Sequence, residues 1–154
     1  MNLKTVLLIL SFFLATTVFS QQPATLEWST NYDDILNQAK LQKKPVLLFF
    51  HGSDWCPPCI KMQKEVFYNM DFIDFASEKI LFLNVDFPYK NKLSDNQLKH
   101  NNQLKKKFGL PDEFTQGYPQ VVIINQNAKV LYQEKGYNGE GTEKLIGVIN
   151  KAVF

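Results

Sequence analysis

Two cysteines, Cys56 and Cys59, are the only ones in the 154-residue chain, and they stand three apart within Ser53-Asp54-Trp55-Cys56-Pro57-Pro58-Cys59. That spacing lets the sulfurs bridge without much backbone bending, so the pair can cycle between dithiol and disulfide. The residue order makes the two thiols unequal. Proline disfavours helical torsions in the residue before it, which applies to Cys56 and again to Pro57. The following helix therefore begins at about Pro58, where a missing N–H costs nothing. Cys56 then sits just outside a helix N-terminus, whose free N–H groups and dipole favour a thiolate over a thiol. That effect is about 0.3–1 kcal/mol when exposed and up to ~2 when partly buried, or roughly one pKa unit. Cys56 is the expected nucleophile. Cys59, one turn inside and facing the core, is the expected resolving thiol, and the redox group is this cysteine pair with no separate cofactor.

Other uses of the same residues compete with that one. A purely structural disulfide closing so short a loop restrains the unfolded chain little. A zinc site would draw on His51, Cys56 and Cys59, but it lacks the second Cys or His pair of a closed site, and His100 is far along the chain. Trp55, taken alone, reads as a core residue; beside a cysteine pair, an exposed indole is expected to be a platform for substrate. A rival of another class is a binding module that holds a partner or a metal through cysteines that do not turn over.

The elements that must position the pair follow from period and punctuation. Leu26-Glu27-Trp28 is a short strand candidate, and Ser29 or Thr30 can cap a helix over about 31–41. Val46 to Phe50 is a continuous apolar run, as in a central strand covered on both faces. The helix behind the cysteines should run to about Tyr68, with Met62, Val66, Phe67 and Met70 toward the core, and a second short helix should span about 71–77. Ile80 to Val85 reads as another buried strand. The Lys- and Asn-rich stretch 89–107 reads as a solvated helix anchored by Leu93, Leu98, Leu104 and Phe108. Val121 to Ile124 and Val130 to Tyr132 form a hairpin around Asn125-Gln126-Asn127, and a Gly-rich joint leads to a final amphipathic helix. The order is β-α-β-α-β-α-β-β-α, an α/β domain whose central mixed sheet is flanked by helices.

Composition narrows the partners. The 17 basic residues are all Lys, set against 15 acids. Without Arg, the usual bidentate reader of phosphate and guanine is missing, so nucleic acid is not an expected partner. Lys4, the apolar run from Val6 to Leu14 and Val18-Phe19-Ser20 read as a secretory signal peptide over residues 1–20. The run is interrupted by Ser11, Thr16 and Thr17 and is shorter than the ~20 residues of a spanning helix. The expected mature chain is residues 21–154, periplasmic or secreted, with no stable membrane insertion after cleavage.

Trp55-Cys56-Pro57-Pro58-Cys59 after a buried strand, Phe108-Gly109-Leu110 followed by Gly117-Tyr118-Pro119, and Lys135-Gly136-Tyr137 before the last helix resemble the thioredoxin superfamily. Lys44-Pro45-Val46, Gly52 to Cys56 and Glu65-Val66-Phe67 are similar to secreted bacterial thioredoxin-like domains, including the C-terminal domain of the membrane reductase that carries electrons to the periplasm. The resemblance implies a thioredoxin fold, a cis peptide bond at Pro119 facing the sulfurs, and a Tyr118 backbone turned outward so that a substrate segment can pair with it as a strand. With Trp55, these form the expected substrate wall. It also implies thiol–disulfide exchange with protein thiols and disulfides, leaning to reduction, and a membrane partner that donates or accepts electrons. The chain departs from the pattern in its acids. Thioredoxins place a buried acid six residues before the first cysteine, where this chain has Phe50; the reductase domain adds one seven residues after it, where this chain has Gln63. Asp54 and Glu65 are the nearest acids, the first expected to be exposed and the second on another helix face from Cys59. Residues 111–116 form an insertion expected to border the site.

Overall fold

The structure is a computed structural model, and it describes residues 25–111 and 117–153. The expected signal peptide and most of the 111–116 insertion lie outside the described residues. Five strands form one mixed sheet: β1 Trp28–Ser29, β2 Val46–His51, β3 Leu81–Asp86, β4 Gln120–Ile124 and β5 Val130–Lys135, in the spatial order β1-β3-β2-β4-β5. β1, β3 and β2 run parallel, while β4 and β5 are antiparallel additions. Every residue of β2 is buried, as its unbroken apolar run requires of a central strand.

Helix α1, Tyr32–Gln42, is capped by Asn31, whose side chain accepts the N–H groups of Asp33 and Asp34. The cap thus falls beyond the expected Ser29 or Thr30. Helix α2, Pro57–Met62, starts with Pro57 in its first turn and Cys56 extended at φ −102° and ψ 98°, so the helix begins one residue earlier than expected. It runs on into a π-helical turn, Gln63–Phe67, and ends at Tyr68. Asn69 then caps a separate helix α3, Met70–Ala76. The wider π turn and the break shift the helical phase. Met62, Val66 and Phe67 are buried as expected, but Met70 is 50% exposed.

Helix α4, Asp95–Lys107, buries Leu104, while Leu98 points outward at 42% exposure rather than anchoring the helix. It ends at Gly109, whose φ of 67° is left-handed, with the Gly109 and Leu110 N–H groups donating to Lys106 and Lys105 carbonyls. Helix α5, Gly141–Val153, closes the chain. The core on one sheet face is aromatic: Phe67 lies 4.8 Å from Phe49 and 5.1 Å from Trp28 between ring centres, and Phe72 packs behind it. On the other face Phe50 meets Phe108 at 6.1 Å. These contacts seat the cysteine helix against the C-terminal half of β2.

Candidate active site at the carboxyl end of the central strands

β2 ends at His51 and the chain turns at Gly52-Ser53-Asp54-Trp55 into α2. The Cys56 N–H donates back to the Gly52 carbonyl at 3.2 Å, and the Ile60 N–H donates to the Cys56 carbonyl. Cys56 and Cys59 are joined in a disulfide with their Cα atoms 5.3 Å apart. Cys59 is fully buried and Cys56 is 3% exposed.

The loop between β2 and Cys56 is fastened to the end of β3 by side chains that local patterning does not pair. Parallel register sets His51 opposite Asp86 and Phe49 opposite Asn84. The Ser53 N–H and hydroxyl donate to the two Asp86 carboxylate oxygens, at 2.9 and 2.6 Å. The Asp54 carboxylate accepts three consecutive backbone N–H groups, from Tyr89, Lys90 and Asn91, at 2.7–3.1 Å. Those bonds hold its pKa below the ordinary carboxylate value. Asp54 was expected to be exposed, yet its charge is fully engaged in this tether. The Trp55 indole N–H donates to the Phe87 carbonyl at 2.7 Å, and the Phe87 N–H to the His51 carbonyl. Asn101 on α4 closes the frame by donating to the Asp86 carbonyl.

His51 lies beneath that loop and is buried. Its ring stacks on Phe49, its Nε2 is 2.5 Å from Asn84 Oδ1, and its Nδ1 faces Asp86 Oδ1 at 3.8 Å. Burial holds its pKa below the usual histidine value, with Asp86 and Asn84 pulling the other way. Among the described residues no group of three His, Cys, Asp or Glu side chains is placed to hold a metal, and His51 is turned to Asn84 and Asp86.

The opposite wall comes from β4. Its register puts Gln120 beside Phe50, so the residues before it flank the end of β2. The Tyr118–Pro119 peptide bond is cis, and the Pro119 carbonyl accepts the Gly136 N–H at 2.7 Å. Tyr118 is buried, with its ring 6.0 Å from Trp55 and 5.9 Å from Phe87, and burial pushes its phenol up to about 12. The structure thus sets the Tyr118 ring, followed by the cis-linked Pro119, against Trp55, the residue before Cys56. Trp55 is half-buried and held by Phe87 rather than freely exposed, and it lines an open groove with Asp54, Pro57, Ile60, Lys61 and Lys64. Glu65 points away to the Tyr137 hydroxyl, which donates to it at 2.7 Å. Phe50 faces the α4 side, and Gln63 lines a cavity with Asn84. Sequence reasoning missed Ser53, Asn84, Asp86 and Phe87 as supports of the site, because their partners are more than 30 residues away in the chain.

Residues 32–152 match the thioredoxin-like domain family. Among curated proteins, the chain is 33% identical over 130 residues to the disulfide bond reductase DsbH of Chlamydia pneumoniae, covering 84% of this chain and 74% of that one. It is 26% identical over 143 residues to the thioredoxin-related protein DsbJ of the same organism, covering 93% of this chain but 40% of that longer protein. A solved DsbH oxidoreductase superposes with a TM-score of 0.75 at 33% identity, over 84% of this chain and 85% of the other. The oxidised C-terminal domain of Neisseria meningitidis DsbD shares the fold, with a TM-score of 0.56 at 17% identity over 82% of this chain and 99% of that domain. With its disulfide at the mouth of a helix and relatives matched over most of its length, the chain belongs to the thioredoxin-like family as a thiol–disulfide oxidoreductase.

Proposed function

We propose that the protein reduces disulfides in other proteins outside the cytoplasm, with Cys56 as the attacking thiolate and Cys59 as the resolving thiol. The observation that carries the assignment of roles is the position of Cys56 at the cap of α2, with Cys59 one turn inside and fully buried. In the reduced form Cys56 Sγ attacks a client disulfide and forms a mixed disulfide, releasing one client thiolate. Cys59 Sγ then attacks Cys56 Sγ, closes the bond seen here and releases the second client thiolate. Trp55, Tyr118 and Pro119 are the surfaces against which the client strand lies. Reduction as the direction is supported by the 33% identity to a protein named a disulfide bond reductase. Turnover then requires a partner that returns two electrons to the disulfide, which we place in the membrane.

Residues 1–20 direct export, and the working protein is 21–154, in the periplasm or secreted. No helix among the described residues is long and apolar enough to cross a membrane. Expression of the full chain in a bacterial host with an envelope should yield periplasmic protein whose mass corresponds to a start near Gln21; protein retained in the cytosol at full mass would contradict export. The catalytic roles are tested by Cys59→Ser. That variant should accumulate client proteins covalently on Cys56, released by dithiothreitol, whereas Cys56→Ser should trap none. Equal trapping by both variants, or by neither, would overturn the assignment.

A further inference from the structure

At the carboxyl ends of the two central parallel strands sits a polar group that the disulfide chemistry above does not use. His51 is buried, its Nε2 is 2.5 Å from Asn84 Oδ1, and its Nδ1 has no hydrogen-bond partner among the described residues. With Asn84 Oδ1 turned to the ring, the contact pairs with the Nε2–H tautomer, which leaves Nδ1 a bare lone pair. That lone pair faces Asp86 Oδ1, 3.8 Å away, whose two oxygens already accept the N–H and O–H of Ser53. Two acceptors therefore confront each other in a buried place, an arrangement that a single added proton would convert into a donor–acceptor pair.

The position ties this group to the cysteines. His51 is one residue from Gly52, whose carbonyl holds the Cys56 N–H, and Ser53 couples Asp86 to the same loop. On the inner side, Asn84 lines a cavity of about 210 Å³ with Gln63, the residue whose N–H donates to the Cys59 carbonyl. The side chains around His51 are Phe49 on its own strand and Asn84 and Asp86 on β3; the cavity beyond Asn84 and Phe49 is lined by Gln63 and Phe67 of the cysteine helix, Trp28 of β1 and the Tyr68 phenol. Asp86 is the charged group acting on the ring.

We propose that His51 is the redox-linked proton site of this protein, taking a proton on Nδ1 when the Cys56–Cys59 disulfide is reduced and returning it when the disulfide re-forms. The inference rests on the reading of Cys56 as the thiolate. When a dithiol reduces the pair, it is oxidised to its own disulfide and gives up two electrons and two protons. The Cys56–Cys59 bond breaks; one proton stays on Cys59 Sγ as the thiol and the other goes to His51 Nδ1, leaving Cys56 Sγ as the thiolate. The new negative charge joins that of Asp86 in favouring a cationic ring. By linkage, a protonated His51 favours the reduced pair to the same degree. His51 then acts on the chemistry from beneath, as a positioning residue for charge, at a site where this chain has Phe50 and Gln63 in place of acids.

Histidine NMR on the unmodified chain with ¹³C-labelled imidazoles tests this directly, by titration between about pH 5 and 8 in the oxidised form and again after reduction with excess dithiothreitol. His51 should bind its proton about tenfold more tightly, one pKa unit, in the reduced protein. A His51 titration that moves less than about threefold, or is absent in both states, would overturn the proposal. As a second readout, at a pH between the two His51 midpoints, His51→Gln should lower proton uptake per reduced disulfide by up to about half a proton, the most a one-unit shift allows; unchanged uptake would also overturn it. Failure of Cys59→Ser to trap clients would count against the client reaction while leaving this titration free to succeed or fail on its own.

Discussion

Asp54 shows how one side chain beside the cysteines does structural work through its charge. Its carboxylate accepts three successive N–H groups of the segment after β3, and those bonds depress its pKa. A depressed folded-state pKa means stability that is present above the unfolded carboxylate value and lost as pH falls through the folded one. Asp54→Asn should therefore lower the denaturant midpoint at neutral pH, and the gap to the unsubstituted protein should close in strong acid. A gap that stays constant across that range would show that the tether does not depend on charge. An Asp between Ser and Trp carries no local mark of its partners, so the tether was not legible in the sequence. The same holds for Ser53 and His51: their partners Asp86 and Asn84 enter only through the register of two parallel strands. What residue-level reading did supply was the asymmetry of the cysteines, since it depends on the adjacent prolines alone.

At the scale of elements, the central strand and the cysteine helix were legible for different reasons and to different extents. The run Val46 to Phe50 has no polar residue, so a fully buried strand was the consistent reading, and the structure buries all of it. The end near Tyr68 and a second helix behind it were legible, but Met70 was placed on the core-facing stripe; the π turn at Gln63–Phe67 adds width and the restart at Asn69 shifts the phase, leaving Met70 exposed. No residue in Gln63-Lys64-Glu65-Val66-Phe67 forbids a regular helix; what accompanies the turn is Phe67 packed among Trp28, Phe49 and Phe72. Phe67 is 2% exposed and meets the Trp28, Phe49 and Phe72 rings, so it anchors the cysteine helix on the sheet. Phe67→Ala should cost about 3–5 kcal/mol of unfolding free energy, read from urea melts of the oxidised protein. A loss under about 1 kcal/mol would show that the helix is held by other contacts. The β4 hairpin was legible from its turn residues, and the Tyr118–Pro119 bond was expected only by resemblance, because nothing in a lone Tyr-Pro pair specifies cis.

For the whole molecule, the fold explains why a three-residue cysteine spacing is enough for a site. The disulfide lies at the carboxyl ends of parallel strands, where a helix N-terminus, the loop after β3 and the start of β4 converge. Thirty-odd residues of chain separate each loop side chain from its partner, so the site is a product of the sheet rather than of the motif. What the fold leaves to be measured is the direction of electron flow, because a few kcal/mol in the relative stability of dithiol and disulfide decides it, about 30 mV per 1.4 kcal/mol. The most direct test is the equilibrium reduction potential of the Cys56–Cys59 pair in the mature chain, set against glutathione or dithiothreitol buffers. The account predicts a value near the reducing end of the thioredoxin-like range, about −270 mV. A value near the oxidising end, about −120 mV, would contradict a reductase and make the pair a donor of disulfides.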